Sequence, residues 1–311
     1  MHIDNPRPEN SWSPRRDERL FLPKSANIRQ IYLRCPYLLD FRLACATLSL
    51  THVDLLECPI DFAMEFLLKC PNLIDFHCRI PVYPSKIKNP RTMLASPLVL
   101  NHLSTFTWFT NPTLDCISQW DIVLFEHIQF PALKTFNWWV GHGVYYLDLI
   151  ANDATIVFLS RFPHSLTTLE LGGIDYNPFE ETFDHFLPLT GVTQLRLSHC
   201  EYRFVEQTIS ALSRRADGRS ILFPKLTSLI IDYRVIGGRT PPWVMFRAEC
   251  GIKLAQIVRS RIGLIDEFKL VVGGAQLTRR WNEGSWQAVR EVMRDELDLV
   301  IIENGFPVVV I

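Results

Sequence analysis

The sequence has no excess of one charge, no long apolar run and no ordered cysteine pattern, and each lack removes a class of function. Lys and Arg number 32 against 33 Asp and Glu, and the formal net charge is −1. Neither half is biased, so the broad basic footprint of a nucleic-acid binder is missing, as is a polybasic membrane patch. No apolar stretch approaches the length of a membrane span. The opening residues, MHIDNPRPENSWSPRRDERLF, contain no apolar core that could serve as a signal peptide. No glycosylation acceptor occurs, because Asn111-Pro112-Thr113 carries the forbidden proline. The 8 cysteines fall singly, at Cys35, Cys45, Cys58, Cys70, Cys78, Cys116, Cys200 and Cys250, without CxxC pairs. These features predict an intracellular protein, cytoplasmic or nuclear, whose cysteines are small buried hydrophobes.

What the chain does contain is a repeat. Residues 1–22 are rich in Pro, Asn, Ser, Arg and Asp and read as a flexible tail. From 23 to 311 one phrase recurs. IYLRCPYLLDFRL (31–43) aligns with FLLKCPNLIDFHC (66–78) at an offset of 35, each read as an apolar helical end, a Cys-Pro and a strand. The phrase L-x-x-L-x-L, with aromatic and β-branched substitutes, returns at Leu50/Val53/Leu55, Leu103/Phe106/Trp108, Leu133/Phe136/Trp138 and Leu166/Leu169/Leu171. It continues at Val192/Leu195/Leu197, Leu226/Leu229/Ile231 and Ile265/Phe268/Leu270, with a last strand over 297–302. Helices with apolar positions at 3–4 spacing are predicted between them, over 61–69, 117–127, 154–162, 204–215, 248–260 and 285–294. Phe130-Pro131, Phe162-Pro163 and Phe223-Pro224 stop a helix and preset an extended start to the next strand.

In a strand of period two, residues 1, 4 and 6 of the phrase face the core and residues 3 and 5 face out. One unit cannot bury its apolar side alone; stacked units can. The expected fold is therefore α/β, a leucine-rich-repeat solenoid with a curved parallel sheet and helices on its convex side. A doubly wound α/β domain also alternates strands and helices, but no glycine-rich phosphate loop follows the first strand. The phrases at Leu38 and Leu50 stand too close for a helical return, which leaves either a tight loop or missing residues.

CPYLLDFRLAC (35–45) resembles the cysteine-containing leucine-rich repeat, C-x-x-L-x-x-L-x-L-x-x-C, with Phe41 at the second leucine and Cys45 one residue ahead of the last cysteine; CPNLIDFHC (70–78) and LRLSHC (195–200) are partial copies. That class is typical of F-box proteins, the substrate adaptors of cullin-RING ubiquitin ligases. The irregular spacing, the CPNL phrases and LTHVDL (50–55) are similar to the large F-box-like families of mushroom-forming fungi. The resemblance implies a substrate-recognition module. It also implies an N-terminal F-box of about forty residues, for which Leu22-Pro23 lies too close to the array; either that domain was lost or the recorded start is too far downstream. A Skp-type adaptor is expected as a partner only with an upstream F-box.

No P-loop, Rossmann fingerprint, H-E-x-x-H or G-x-S-x-G elbow is present, and Gly141-His142-Gly143 lacks its third glycine. His77/Cys78 and His199/Cys200 are strand neighbours that point to opposite faces, so neither pair suits one metal ion. No catalytic, cofactor or metal site is expected. The candidate site is instead the outward strand face, where a protein partner would dock: Arg42, His77, Asn137, Trp139, Glu170, Arg196, Asp232 and Lys269, among further outward residues such as Asp54, Thr107 and Glu267. The alternatives are a repeat scaffold unrelated to ubiquitination and an enzyme on a parallel α/β scaffold, which would show a deep pocket with convergent titratable groups.

Overall fold

The computed structural model describes residues 2–4, 28–34, 49–85, 89–110, 115–141, 153–174, 183, 185–213, 221–232, 248–273, 283–294 and 298–308. It is a mixed α/β protein whose strands are mostly parallel, and contacts divide it into two compact units. Unit 1 comprises Met1–Val144 with Asn152–Pro163, and unit 2 comprises Tyr145–Ala151 with His164–Ile311.

Unit 1 holds β1 (His2–Asp4), β2 (Gln30–Arg34), β3 (His52–Leu56), α1 (Ile60–Lys69), β4 (Asp75–Arg79), β5 (Leu98–Val99), β6 (Thr105–Thr110), α2 (Asp115–His127), β7 (Ile128–Gln129), β8 (Thr135–Val140) and α3 (Asp153–Ser160). Its main sheet is parallel in the order β1-β2-β3-β4-β6-β8, with β5 and β7 forming a separate pair. Unit 2 holds β9 (Thr168–Gly172), β10 (Gln194–Ser198), α4 (Tyr202–Ser213), β11 (Ser228–Asp232), α5 (Ala248–Arg259), β12 (Glu267–Gly273), α6 (Glu283–Arg294), β13 (Asp298–Glu303) and β14 (Phe306–Pro307). Here β9 to β13 run parallel in chain order, and β14 turns back antiparallel on β13.

The repeated phrase explains each unit. Its first residue closes a tight turn: Leu73 N–H donates to Cys70 C=O, Leu133 to Phe130 and Leu226 to Phe223, at 3.3, 3.3 and 3.0 Å. Pro71, Pro131 and Pro224 occupy the second position of these turns, where their fixed φ is already right. In unit 2 the same turn at Leu189–Val192 uses Gly191, whose added Cβ would lie 2.3 Å from the His164 carbonyl oxygen. Only glycine lets those backbones approach. The fourth and sixth residues then point inward, and Phe106, Phe136, Leu169, Leu195 and Leu229 are all 0 % exposed.

Strands also end alike. Glu57, Ile80, Gly173 and His199 follow β3, β4, β9 and β10 in the left-handed region, at φ 56, 51, 65 and 56°. The amides of Glu57, Gly173 and His199 each donate to the strand beyond, extending the ladder by one step. That twist turns the next side chain inward, so the Cys58 thiol donates to Leu33 C=O and the Cys200 thiol to Leu171 C=O.

One expectation is corrected here. Residues 31–34, read as a helical end by analogy with 66–69, form the parallel strand β2, which pairs directly with β3 from Gln30↔His52 onward. The place beside β3 that the phrase at Leu38 was expected to take is thus held by β2, and the crowded spacing becomes 22 residues between paired positions. Residues 35–48, including the CPYLLDFRLAC phrase, lie outside the described ones. Within 1–22 the described residues are His2–Asp4, paired in parallel with Tyr32–Arg34. Among the described residues no helix is long and apolar enough to cross a membrane.

Candidate protein-binding face

Helices cover one side of each set of strands. In unit 1 the inward Trp138 ring meets Phe125 of α2, and Phe136 meets Phe158 of α3. In unit 2 Phe268, Leu270 and Ile301 line one small apolar cavity with Leu254 and Val258 of α5 and Val289 of α6, and none of its described lining residues is titratable or nucleophilic. The outward residues are left on an open face, and strand register lines them up in rows.

In unit 1 one row runs Gln30–His52–Asp75–Thr105–Thr135 and the next Tyr32–Asp54–His77–Thr107–Asn137. Most of their polar groups are paired with each other. His52 Nε2 lies 2.9 Å from Asp75 Oδ2, and Arg79 Nε donates to Asp54 Oδ1 at 3.1 Å. Asn137 Nδ2 donates to Thr107 Oγ at 2.9 Å, and the hydroxyl has its own proton left for His77 Nδ1, 2.7 Å away. Burial pushes the His77 pKa down; Asp54 and Asp75 pull it back up, while Arg79 and His52 reinforce the fall. Trp139 is half-buried and in register with Phe109.

Unit 2 presents a different face. Its rows run Thr168–Gln194–Ser228–Lys269–Val300 and Glu170–Arg196–Ile230–Val271–Ile302. Glu170 accepts a hydrogen bond from Ser198 Oγ at 2.8 Å. Arg196, directly between Glu170 and Ile230, has a buried Nε with no hydrogen-bond acceptor. Lys269 is exposed.

The expected outward residues are therefore placed as follows. His77, Asn137, Trp139, Glu170 and Arg196 are half-buried on the open face and Lys269 is exposed there, three of them in unit 1 and three in unit 2. Asp232 sits on the outer row at the strand end but is only 9 % exposed, and Thr107 is buried beneath His77 and Asn137. Arg42 lies outside the described residues. The alternating register missed the apolar row Ile230–Val271–Ile302, although its parity was readable from Leu229, Leu270 and Ile301.

Two buried polar devices were also missed. Asp121 of α2 is fully buried and accepts from Trp108 Nε1 at 2.6 Å, while Trp138 Nε1 donates to Thr110 Oγ at 3.1 Å. Burial pushes the Asp121 carboxyl up to about 7, against the lowering effect of the Trp108 hydrogen bond and the nearby Thr110 hydroxyl. The same burial, aided by Asp121 and Asp54, pushes the Cys78 thiol well up. The readable signal was an acid at i, i+3 and i+4 with Leu124 and Phe125 on an apolar helix face. Second, Arg161 follows α3 and donates to the carbonyls of Phe125 and Glu126 at the end of α2. Arg261 follows α5 and donates to Leu212, Ile257 and Leu222 carbonyls, and burial lowers its pKa to about 10. Through Phe125 and Glu126 for Arg161, and Leu212 for Arg261, each satisfies carbonyls at the end of a neighbouring helix. Their shared sign is Ser-Arg just past a helix, at 160–161 and 260–261.

Among the described residues no group of three or more His, Cys, Asp or Glu is arranged to hold a metal ion. No family model matches the chain, and neither the curated proteins nor the solved structures include a match.

Proposed function

We propose that this chain is a protein-interaction module of the leucine-rich-repeat solenoid type that binds a partner polypeptide on the open face of its strands, without catalysing a reaction. The observation that carries the reading is the register. In each unit, successive strands pair so that inward residues stack into a continuous core and outward polar, charged and aromatic residues align in rows. A broad row-patterned face of this kind suits recognition of a chain, with charge setting register and half-buried Trp and Arg supplying anchors.

Within that reading the module is the substrate-recognition part of an F-box-like ubiquitin-ligase adaptor. This narrower statement rests on the resemblance of the cysteine-class phrase, and the matching placements of Cys58 and Cys200 favour it. The other course is a scaffold unrelated to ubiquitination.

Quantitative co-purification from the source cells tests both. A partner recovered by the wild type and lost with Trp139→Ala and Arg196→Glu is expected. Unaltered recovery with both variants contradicts the open-face assignment. Recovery of a Skp-type adaptor by the full transcript product supports the ligase role, and a partner set lacking it points to the unrelated scaffold.

A further inference from the structure

We infer that the open face of β10 to β13 is a docking strip for an extended acidic–aliphatic polypeptide segment, with a partner carboxylate seated between Arg196 and Lys269. The inference rests on the protein-binding reading and names the partner's chemistry.

The strip lies wholly in unit 2. Three outward aliphatic side chains, Ile230, Val271 and Ile302, stand side by side in one row, all half-buried, with Val300 exposed in the next row. Outward positions on a solvated sheet are normally polar, so three consecutive aliphatics in register form a surface that another chain would cover. Two cations border the row. Arg196 pairs in register with Ile230, and Lys269 precedes Val271 by two residues on the same face. Strand spacing and rise place their Cα atoms roughly 12 Å apart on a diagonal. That span matches about four residues of an extended chain, whose alternate side chains share one face.

Among the described residues neither cation makes an ion pair: the neighbouring Glu170 carboxylate accepts from the Ser198 hydroxyl, Arg196 Nε is buried without an acceptor, and Lys269 is exposed. Only the Nε of that guanidinium is buried, and the residue as a whole is half-buried, so its outer nitrogens can meet a bound carboxylate in a charge-assisted hydrogen bond. The paired acids Glu267 and Asp298 lie on the Lys269 side, so the partner's carboxylate is excluded from that corner and directed toward Arg196. Among the described residues of unit 1 this combination does not recur, and outward charges there are matched at His52–Asp75 and Arg79–Asp54.

A phage-displayed random 12-mer library selected on the full chain provides the test. Enriched peptides should combine an acidic residue with aliphatics at alternate positions. Synthetic copies, measured by fluorescence anisotropy, should bind Arg196→Glu and Val271→Asp at least about tenfold more weakly. A fresh selection on folded Arg196→Glu should turn toward basic–aliphatic peptides. Circular dichroism melts of both variants check the fold, and Arg196→Gln serves as a milder variant where charge reversal lowers the melting point. Enriched peptides that are indifferent to Arg196 and Val271 but lost with Trp139→Ala overturn the strip while keeping the protein-binding reading. No enriched sequence at all overturns both.

Discussion

At one strand position unit 1 stacks Phe76, Phe106 and Phe136, with centroids 5.9 and 6.0 Å apart, where unit 2 places Leu169, Leu195 and Leu229. Two residues on, unit 1 buries Trp108 and Trp138 where unit 2 buries Leu171, Leu197 and Ile231. The phrase is the same and the parity is the same. The chemistry that follows is not. An aliphatic core asks nothing of its neighbours except shape, whereas a buried indole carries an N–H that needs an acceptor. Unit 1 supplies Asp121 and Thr110, and so holds a carboxyl in its core that unit 2's aliphatic ladder does not require. The open faces diverge in the opposite sense: unit 1 exposes a hydrogen-bonded polar net, and unit 2 an aliphatic row with free cations.

The largest effect should come from the aromatic ladder. Phe106 touches Phe76, Trp108, Phe130 and Phe136, so Phe106→Ala should destabilise unit 1 by about 5 kcal/mol, against about 3 kcal/mol in unit 2 for Leu195→Ala. Hydrogen exchange read separately on peptides from each unit checks the difference. Equal costs would mean that the aromatic stack adds nothing beyond burial.

Asp121 gives the next effect and a sign. Its carboxyl titrates at about 7 in the folded chain and near the usual 3.8 unfolded, so between those values the folded state holds the extra proton. Stability of unit 1 is therefore full below about pH 4 and falls as pH rises toward 7, by about 4 kcal/mol over the range. Urea unfolding at pH 5 and pH 8 should show the drop, and Asp121→Asn should flatten it. Unit 2 should not share this slope.

Arg261→Met should cost about 2 kcal/mol by leaving the Leu212 and Leu222 carbonyls without their donor, with a similar loss in unit 1 for Arg161→Met. The smallest pair compares the left-handed residues after β4 and β9. Ile80→Asn should raise stability by about 1 kcal/mol, because a β-branched side chain is strained at φ 51°, and Gly173→Ala should lower it by a similar amount. Differential scanning calorimetry of both variants would expose the opposite signs.

The α/β class and the parity of the strands were legible because inward positions of the phrase need only be apolar. Val53, Leu55, Phe106, Trp138, Leu171, Leu197, Ile231 and Phe268 all lie where period two puts them. The segment at 31–34 was misread because four apolar-rich residues before Cys-Pro satisfy a helix end and a strand equally; pairing with β3, a long-range contact, decides it. Asp232 kept its parity but lost its exposure at the crowded strand end, where Gly273 packs beside its carboxylate. The staples at Arg161 and Arg261 depend on carbonyls 35 and 49 residues away, which no local pattern reports. In the candidate site, outwardness was readable, whereas which charges are already paired was not.

The central claim, that the open face rather than the helical face binds the partner, is tested most directly by quantitative mass spectrometry of proteins co-purified with three forms of the full chain. The forms are the wild type, an open-face variant carrying Asn137→Arg and Arg196→Glu, and a helix-face variant carrying Gln256→Arg and Gln287→Arg at exposed positions of α5 and α6. The wild-type partner is expected to survive in the helix-face variant and to disappear from the open-face one. Loss from the helix-face variant with full recovery on the open-face variant would contradict it.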